Sequence, residues 1–188
     1  NRNNRMIVKM AGSAGQGIKT AGLIITKALK RSGFKVFGYT EYPSLIRGGH
    51  NVFQIEVFNG EGTPLSKETD ILLALDKASI GLHKDELPQG GILLYDENTI
   101  TIEQEIITKL QSMEVTLVPI KLSELSTNSG GNALMKNTVA MGALWELLGL
   151  KLTDLEPLIA ETYNKTQEMI DLNLKCLRAG FDDVASKK

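Results

Sequence analysis

The chain has 188 residues, 42% of them apolar and 23% charged, with a formal net charge of −1. That length suits one domain with its own core, and the composition is ordinary for a globular protein. A charge near zero argues against non-specific nucleic-acid or membrane-surface binding, which needs a basic surplus; no apolar run approaches the roughly 20 residues of a membrane-spanning helix.

The first residues, Asn1 to Arg5, are polar and lead straight into an apolar strand pattern, Met6-Ile7-Val8 and Met10-Ala11, with no visible signal peptide. The chain starts without methionine, which points to a trimmed or excised piece. Its one cysteine, Cys176, excludes an internal disulfide, an iron–sulfur cluster or a Cys-based zinc site, and a reducing cytoplasm is the expected location. After the glycine-rich stretch 12–17, Ile18, Ala21, Ile25, Ala28 and Leu29 recur at helical spacing, and Gly33 is a natural stop. A second strand is predicted from Phe34 to Tyr39. Phe53, Ile55 and Val57 alternate with Gln54 and Glu56, which predicts a half-exposed strand, antiparallel or at an edge. Ile71–Leu75 and Ile92–Tyr95 are continuous apolar runs, as in strands covered on both faces, and Val115–Pro119 adds a short strand.

The last third is predicted helical. After the loop 128–132, Leu134, Met141, Trp145 and Leu148 share one face, and Gly149 ends the run. Thr153 and Glu156 form a capping-box pattern, with Thr153 as N-cap. A final helix places Ile170, Leu174 and Leu177 inward and stops near Gly180. Alternating strands and helices predict an α/β fold: three layers, with a Rossmann-like, mostly parallel sheet and helices on both faces. One domain, residues 1–188, is expected.

Gly12-Ser13-Ala14-Gly15-Gln16-Gly17 lies between the first strand and the first helix. Glycines let backbone N–H groups crowd around one point, and the helix dipole points there, so the loop suits a phosphate or another anion. The spacing is a permutation of the dinucleotide fingerprint and not a match, although Glu41 ends the second strand where a ribose-binding acid would sit. Against the P-loop pattern, Ile18 displaces Lys19-Thr20 by one residue, which removes the lysine from the β/γ-phosphates. A tight turn that only lets helix and sheet approach is the competing structural reading.

A second cluster joins strands two and three: Glu41-Tyr42-Pro43-Ser44-Leu45-Ile46-Arg47-Gly48-Gly49-His50-Asn51. Arg47 sets a planar cation beside backbone that can approach a ligand or a neighbouring chain. In a sheet parallel at its start, this loop leaves the same edge as the glycine loop, where open α/β sheets bind ligands.

Together, Gly12 to Ile18, Ala21-Gly22 and Arg47-Gly48-Gly49 resemble the γ domain of the 2-oxoacid:ferredoxin (acceptor) oxidoreductases. So do the aspartate-led strand Asp70–Leu75, the turn Pro88/Gly90/Gly91 and the helix Asn137/Gly142/Ala143. The one departure is Ala14, where a glycine is common. The resemblance implies one component of a complex that oxidatively decarboxylates a 2-oxoacid to an acyl-CoA. By the same resemblance, the γ part is expected to be a scaffold on the coenzyme A side without chemistry of its own. The form of residues 42–50 resembles the type in which γ is fused ahead of α. Thiamine diphosphate, Mg²⁺ and iron–sulfur clusters are then expected on α and β partners, ferredoxin is an indirect partner, and a homodimer is compatible. The implied binding residues are Gly12, Ser13, Ala14, Gly15, Gln16, Gly17, Arg47, Gly48 and Gly49, with no catalytic or metal-ligating residue in this chain. A stand-alone dinucleotide-dependent oxidoreductase and a pure assembly module are the alternatives.

Other residues carry two readings. His50 reads as a structural hydrogen-bonder at the start of a strand or a proton carrier, and His83, among Lys84, Asp85 and Glu86, as solvated surface. Asp76 reads as a helix cap, Asn173 as a buried amide tying down a loop, and Cys176 as a small core filler.

Overall fold

A computed structural model describes residues 5–13, 15–41, 49–58 and 70–187. The chain divides into two compact units, Asn1–Pro119 and Ile120–Lys188.

The first unit is built on a six-stranded sheet with the order β2-β3-β1-β4-β5-β6. Its strands are β1 (Arg5–Ser13), β2 (Lys35–Glu41), β3 (His50–Phe58), β4 (Ile71–Ala74), β5 (Ile92–Asp96) and β6 (Thr116–Ile120). β1, β4 and β5 run parallel, while β3 is antiparallel to both β1 and β2, so the sheet is mixed. The antiparallel β3 agrees with the alternation seen in its sequence. Its exposure does not: Gln54 is 3% and Glu56 0% exposed, so the polar side chains of this strand lie inside.

Helix α1 (Ile18–Arg31) buries the expected stripe, Ile18, Ala21, Ile25, Ala28 and Leu29, together with Gly22 and Ile24. Gly22 lets the helix sit on β3; a Cβ there would meet the Phe53 ring at 2.2 Å. Gly33 adopts φ +91° just after the helix, and Phe34 N–H closes back on Leu29 O at 3.1 Å, the left-handed termination expected of glycine. The other sheet face carries Ala11, Val52, Leu72, Ala74 and Leu93. It packs against Ile80 of α2 (Lys77–His83) and against Ile106 and Leu110 of α3 (Gln104–Ser112). Helices therefore cover both faces, the predicted three-layer arrangement.

The second unit holds α4 (Leu122–Asn128), α5 (Lys136–Leu147), α6 (Leu152–Thr162) and α7 (Gln167–Ala185). Residues Thr138 to Trp145 of α5 are buried without interruption. A one-sided stripe therefore does not describe the helix: Met141 and Trp145 are core, but Leu134 lies before it and is 89% exposed. The reason is α7, which approaches so closely that a Cβ on Gly142 would sit 1.9 Å from Leu177 O, and one on Gly180 1.9 Å from Val139 O. Gly180 is thus a contact residue in mid-helix, and α7 runs on to Ala185. Gly149 does terminate its run, at φ +70°.

Helix α6 starts at Leu152 with Lys151 as N-cap, so Thr153 lies inside the first turn and does not cap. The main-chain oxygen of Lys151 is drawn instead into a 2.8 Å hydrogen bond from Trp145 Nε1. Asn173 joins two helices rather than a loop: its Oδ1 accepts from Thr138 Oγ1 at 2.8 Å, and its Nδ2 donates to Met169 O at 2.9 Å. Cys176 is fully buried, as expected of a core filler, and burial pushes its thiol pKa up. Among the described residues no helix is long and apolar enough to cross a membrane.

Candidate functional site

Strand register decides which chain segments share an edge. Ser13, the last residue of β1, lies opposite His50, the first residue of β3, and Glu41, the last of β2, lies opposite Val52. Because β2 and β1 both run antiparallel to β3, their carboxyl ends meet at one edge. The end of β4 arrives there too, since Leu75 N–H donates to Ala11 O at 2.9 Å. The glycine loop, Glu41 and His50 therefore share one edge, as the sequence predicts for the glycine loop and the segment after strand two, and the start of α2 joins them there.

Within the glycine loop, Gly15 and Gly17 hold φ +83° and +73°, left-handed conformations that favour glycine. Gly17 is the N-cap of α1, so no side chain caps the helix, and the first turn carries no acid. Such a helix start leaves its amides for water or an anion. Gly12 is buried for another reason. A Cβ there would meet Gln16 Oε1 at 2.3 Å, because the Gln16 side chain folds back to accept from Ser13 N–H at 2.6 Å. Gln16 thus consumes one of the loop amides and fixes the turn, while Ser13, Gly15 and Gly17 stay exposed. Ala14, Arg47, Gly48 and the rest of 42–48 lie outside the described residues. Gly49, at φ +66°, precedes His50 at the edge.

Asp76 caps α2 as expected, accepting from Ser79 N–H at 2.9 Å, and its other oxygen accepts from Ser13 Oγ at 2.6 Å. Burial alone would raise its pKa, but the hydrogen bonds from Ser13 and Ser79 and the nearby His50 bring it below the ordinary value.

Next to it lies a chain of polar groups. His50 Nε2 and His83 Nε2 are 2.9 Å apart. The two ring planes differ by 21° and the centroids are 5.2 Å apart, which is the N···N distance plus the two ring radii. The imidazoles therefore meet edge to edge, nearly coplanar, in hydrogen-bond geometry rather than face to face. His83 Nδ1 is 2.8 Å from Glu86 Oε1, and Glu86 Oε2 accepts from Lys9, which also donates to Glu41 Oε2 at 3.3 Å. His83 is 8% exposed, so its reading as solvated surface is corrected: the turn of α2 lays its ring against β3 and Glu86. Burial, His83 and Lys9 push the His50 pKa below 6.5 against the opposing pull of Asp76. Burial alone would raise the Glu86 pKa, but His83 and Lys9 bring it below the ordinary carboxylate value.

Lys9, His83, Glu86 and Glu41 are the site residues that sequence reasoning missed or misplaced. A lysine inside an otherwise apolar strand was the available signal, since a buried lysine must find carboxylates. On the same sheet face, Gln54 Nε2 donates to Tyr39 Oη at 2.7 Å and to Glu56 Oε1 at 3.1 Å. Burial and Glu56 push the Tyr39 pKa up to about 12. Among the described residues no group of three or more His, Cys, Asp or Glu could hold a metal ion.

The family model described as pyruvate ferredoxin/flavodoxin oxidoreductase matches residues 7–182. Ketoisovalerate oxidoreductase subunit VorA of Methanothermobacter thermautotrophicus is 31% identical over 179 residues, 93% of this chain and 35% of the relative. The 2-oxoglutarate synthase subunit KorC of Archaeoglobus fulgidus is 26% identical, covering 93% of this chain and 86% of the relative. The chain thus spans about a third of the first relatives and most of the smaller ones. Among solved structures, the 2-oxoglutarate:ferredoxin oxidoreductase of Magnetococcus marinus superposes with a TM-score of 0.85 at 24% identity, over 97% of this chain and 31% of that one. That structure is described with 2-oxoglutarate, coenzyme A and succinyl-CoA bound. The keto/oxoacid ferredoxin oxidoreductase γ subunit of Geobacter sulfurreducens gives 0.75 at 23% identity, over 96% and 99%. The fold is shared over 97% of this chain, and with the family match over residues 7–182 the chain belongs to the pyruvate ferredoxin/flavodoxin oxidoreductase family.

Proposed function

We propose that the two units act together as the γ component of a 2-oxoacid:acceptor oxidoreductase that converts a 2-oxoacid and coenzyme A to an acyl-CoA, placed on the coenzyme A side. The observation that carries this reading is the sheet edge where Ser13, Gly15, Gly17, Gly49 and His50 gather, with an α1 start that has neither a capping side chain nor an acid. A glycine-lined helix start without an acid suits the phosphates of a coenzyme, and a relative in fold is described with coenzyme A bound. Arg47 and Gly48 belong to the same proposal on their place in sequence. Partners of α and β type supply thiamine diphosphate, Mg²⁺ and iron–sulfur clusters, and fusion ahead of an α-type segment fits the VorA match. The single, fully buried cysteine of this chain cannot supply the several thiolates that an iron–sulfur cluster needs. The work of this chain is to bind and orient. Glu41, the acid a dinucleotide reading needs for a ribose, is instead held by Lys9.

The test is steady-state kinetics of the assembled oxidoreductase carrying Gln16→Ala, which removes the brace under Ser13 N–H. A rise of roughly tenfold in KM for coenzyme A, with KM for the oxoacid unchanged, is expected on loss of one or two hydrogen bonds to the ligand. If KM for coenzyme A stays put while Arg47→Ala weakens subunit association, the domain is an assembly module.

A further inference from the structure

β2 is the outer strand of the sheet, bonded to β3 on one side only among the described residues. Edges of this kind are usually blunted by a proline or a bulge, because their free amides and carbonyls invite another strand. β2 has no proline, and its seven residues match β3 one for one from Lys35↔Phe58 to Glu41↔Val52, so no bulge interrupts it. Its odd-numbered side chains lie on one face: Phe37 meets the Phe58 ring edge-on at 5.8 Å, and Tyr39 bonds to Gln54 and Glu56. Gly38 faces the other way, where a Cβ would sit 2.6 Å from Thr26 Oγ1 of α1. Phe37 and Tyr39 are nonetheless 42% and 38% exposed, and Leu23, one turn before Thr26 on α1, is 51% exposed. Among the described residues of the first unit, Leu82 is the one exposed large apolar side chain that does not border this strand.

The residue order of β2 is complementary to itself. Outward from Gly38 in both directions, aromatic matches aromatic (Phe37, Tyr39), β-branched matches β-branched (Val36, Thr40), and cation matches anion (Lys35, Glu41). We propose that β2 pairs antiparallel with β2 of a second copy of this chain, about a two-fold axis through Gly38, joining the two six-stranded sheets into one. In that register Lys35 lies opposite the second copy's Glu41 and Phe37 opposite the second copy's Tyr39, and symmetry makes each pair twice. Directly opposed side chains in antiparallel strands share a face and touch, so aromatic pairs supply contact area and the charge pairs select the alignment. Glu41 keeps 36% of its side chain exposed beside Lys9, which leaves it able to take a second cation. Sliding the register by two residues sets Phe37 or Tyr39 against itself and removes both charge pairs; sliding it by one turns the faces of one sheet over. A two-fold contact places the same patch of both copies face to face, which a self-complementary strand satisfies. The pairing runs along the side of the sheet, whereas the glycine loop lies at the strand ends, so it does not depend on the coenzyme A reading.

The experiment is sedimentation equilibrium of the full chain, unaltered and carrying Lys35→Glu, Phe37→Lys or Leu82→Lys. The unaltered chain is expected to form a concentration-dependent dimer. Lys35→Glu opposes two acids at each end of the paired strands and should weaken the dimer about tenfold, and Phe37→Lys should weaken it at least as much. Leu82→Lys, at a 59% exposed position on α2, should leave it unchanged. Lys35 and Phe37 are both exposed, so neither substitution opens the core, and unaltered urea midpoints verify this. Register is read by mixing chains carrying Phe37→Cys with chains carrying Tyr39→Cys under oxidation; Cys176 is fully buried and does not compete. Opposed Cα atoms lie about 4.5–5.5 Å apart, within disulfide reach, whereas position 37 of one copy to 37 of the other exceeds the limit of about 7 Å. Cross-linking is therefore expected in the mixture and not in Phe37→Cys alone. A chain that stays monomeric at every concentration overturns the proposal, as does a dimer indifferent to Lys35→Glu and Phe37→Lys, or cross-linking of Phe37→Cys by itself. Loss of α- or β-type partners from the assembled oxidoreductase carrying Phe37→Lys, with the chain itself monomeric, gives the edge to them and overturns it too.

Discussion

Glycines do opposite work in the two units. At the sheet edge, Gly15 and Gly17 have positive φ, and a Cβ on Gly15 would meet nothing within 4 Å. In the helix pair, a Cβ on Gly142 or Gly180 would collide with backbone oxygen of the facing helix at 1.9 Å. The first pair makes open space for something outside the unit; the second removes space between α5 and α7. A family-like motif therefore does not by itself locate a ligand. Of the motif segments shared along the chain, the Gly142-Ala143 part is a packing device and the Gly15-Gln16-Gly17 part faces solvent.

The sharpest break of this contrast is Gly142→Ala. Backbone cannot yield as a side chain can, so urea unfolding should show a loss of about 3 kcal/mol, the upper part of the usual overpacking range. A loss below 1 kcal/mol, on the scale of an ordinary surface change, would mean that α5 and α7 are less tightly joined than their geometry says. Lys9→Met should come next. It strips the buried cation from Glu86 and Glu41, both only about a third exposed in their side chains. Solvent near the carboxylates tempers the effect to about 2 kcal/mol, below the full cost of breaking a buried pair. Gly15→Ala should cost only about 1 kcal/mol, the strain of a left-handed alanine with no clash.

The smallest effect is on pH dependence. The fold holds the His50 pKa below its ordinary 6.5, so it favours the neutral ring. The resulting stability is complete above 6.5 and is lost as pH falls through the folded value. Asp76 acts the same way lower down, its contribution present above 3.8 and lost as the carboxyl protonates. Urea midpoints between pH 7.5 and 5 should decline in the unaltered chain and flatten in His50→Gln. Parallel slopes in the two would contradict the assignment.

Much of this architecture is legible in the sequence because periodicity reports burial. The α1 stripe, the continuous apolar runs of β4 and β5, and the glycine stops at Gly33 and Gly149 all follow from local rules. The shared sheet edge is legible too, since chain direction alone brings the ends of β1 and β2 together. What fails locally is any feature made by a partner far along the chain. Gln54 and Glu56 alternate like exposed residues, yet Tyr39 and Gln54 satisfy Glu56 Oε1 within a buried face. His83 sits among charges in sequence, yet its partners are His50, 33 residues away, and Glu86 on the next turn. Gly180 looks like a helix stop because the carbonyl it accommodates, Val139 O, lies on another helix.

The contrast between the two regions is tested most directly by the dissociation constant of coenzyme A in the assembled oxidoreductase carrying Gly15→Asp, against Leu134→Asp as its counterpart in the helical unit. Position 15 is open and sits at the uncapped start of α1, and aspartate tolerates a left-handed backbone better than most residues. The added carboxylate would occupy the amides and repel phosphate. The account predicts at least a tenfold weaker dissociation constant for Gly15→Asp, about 1.4 kcal/mol, with no change for Leu134→Asp. Equal affinity in both variants and the unaltered chain would contradict it.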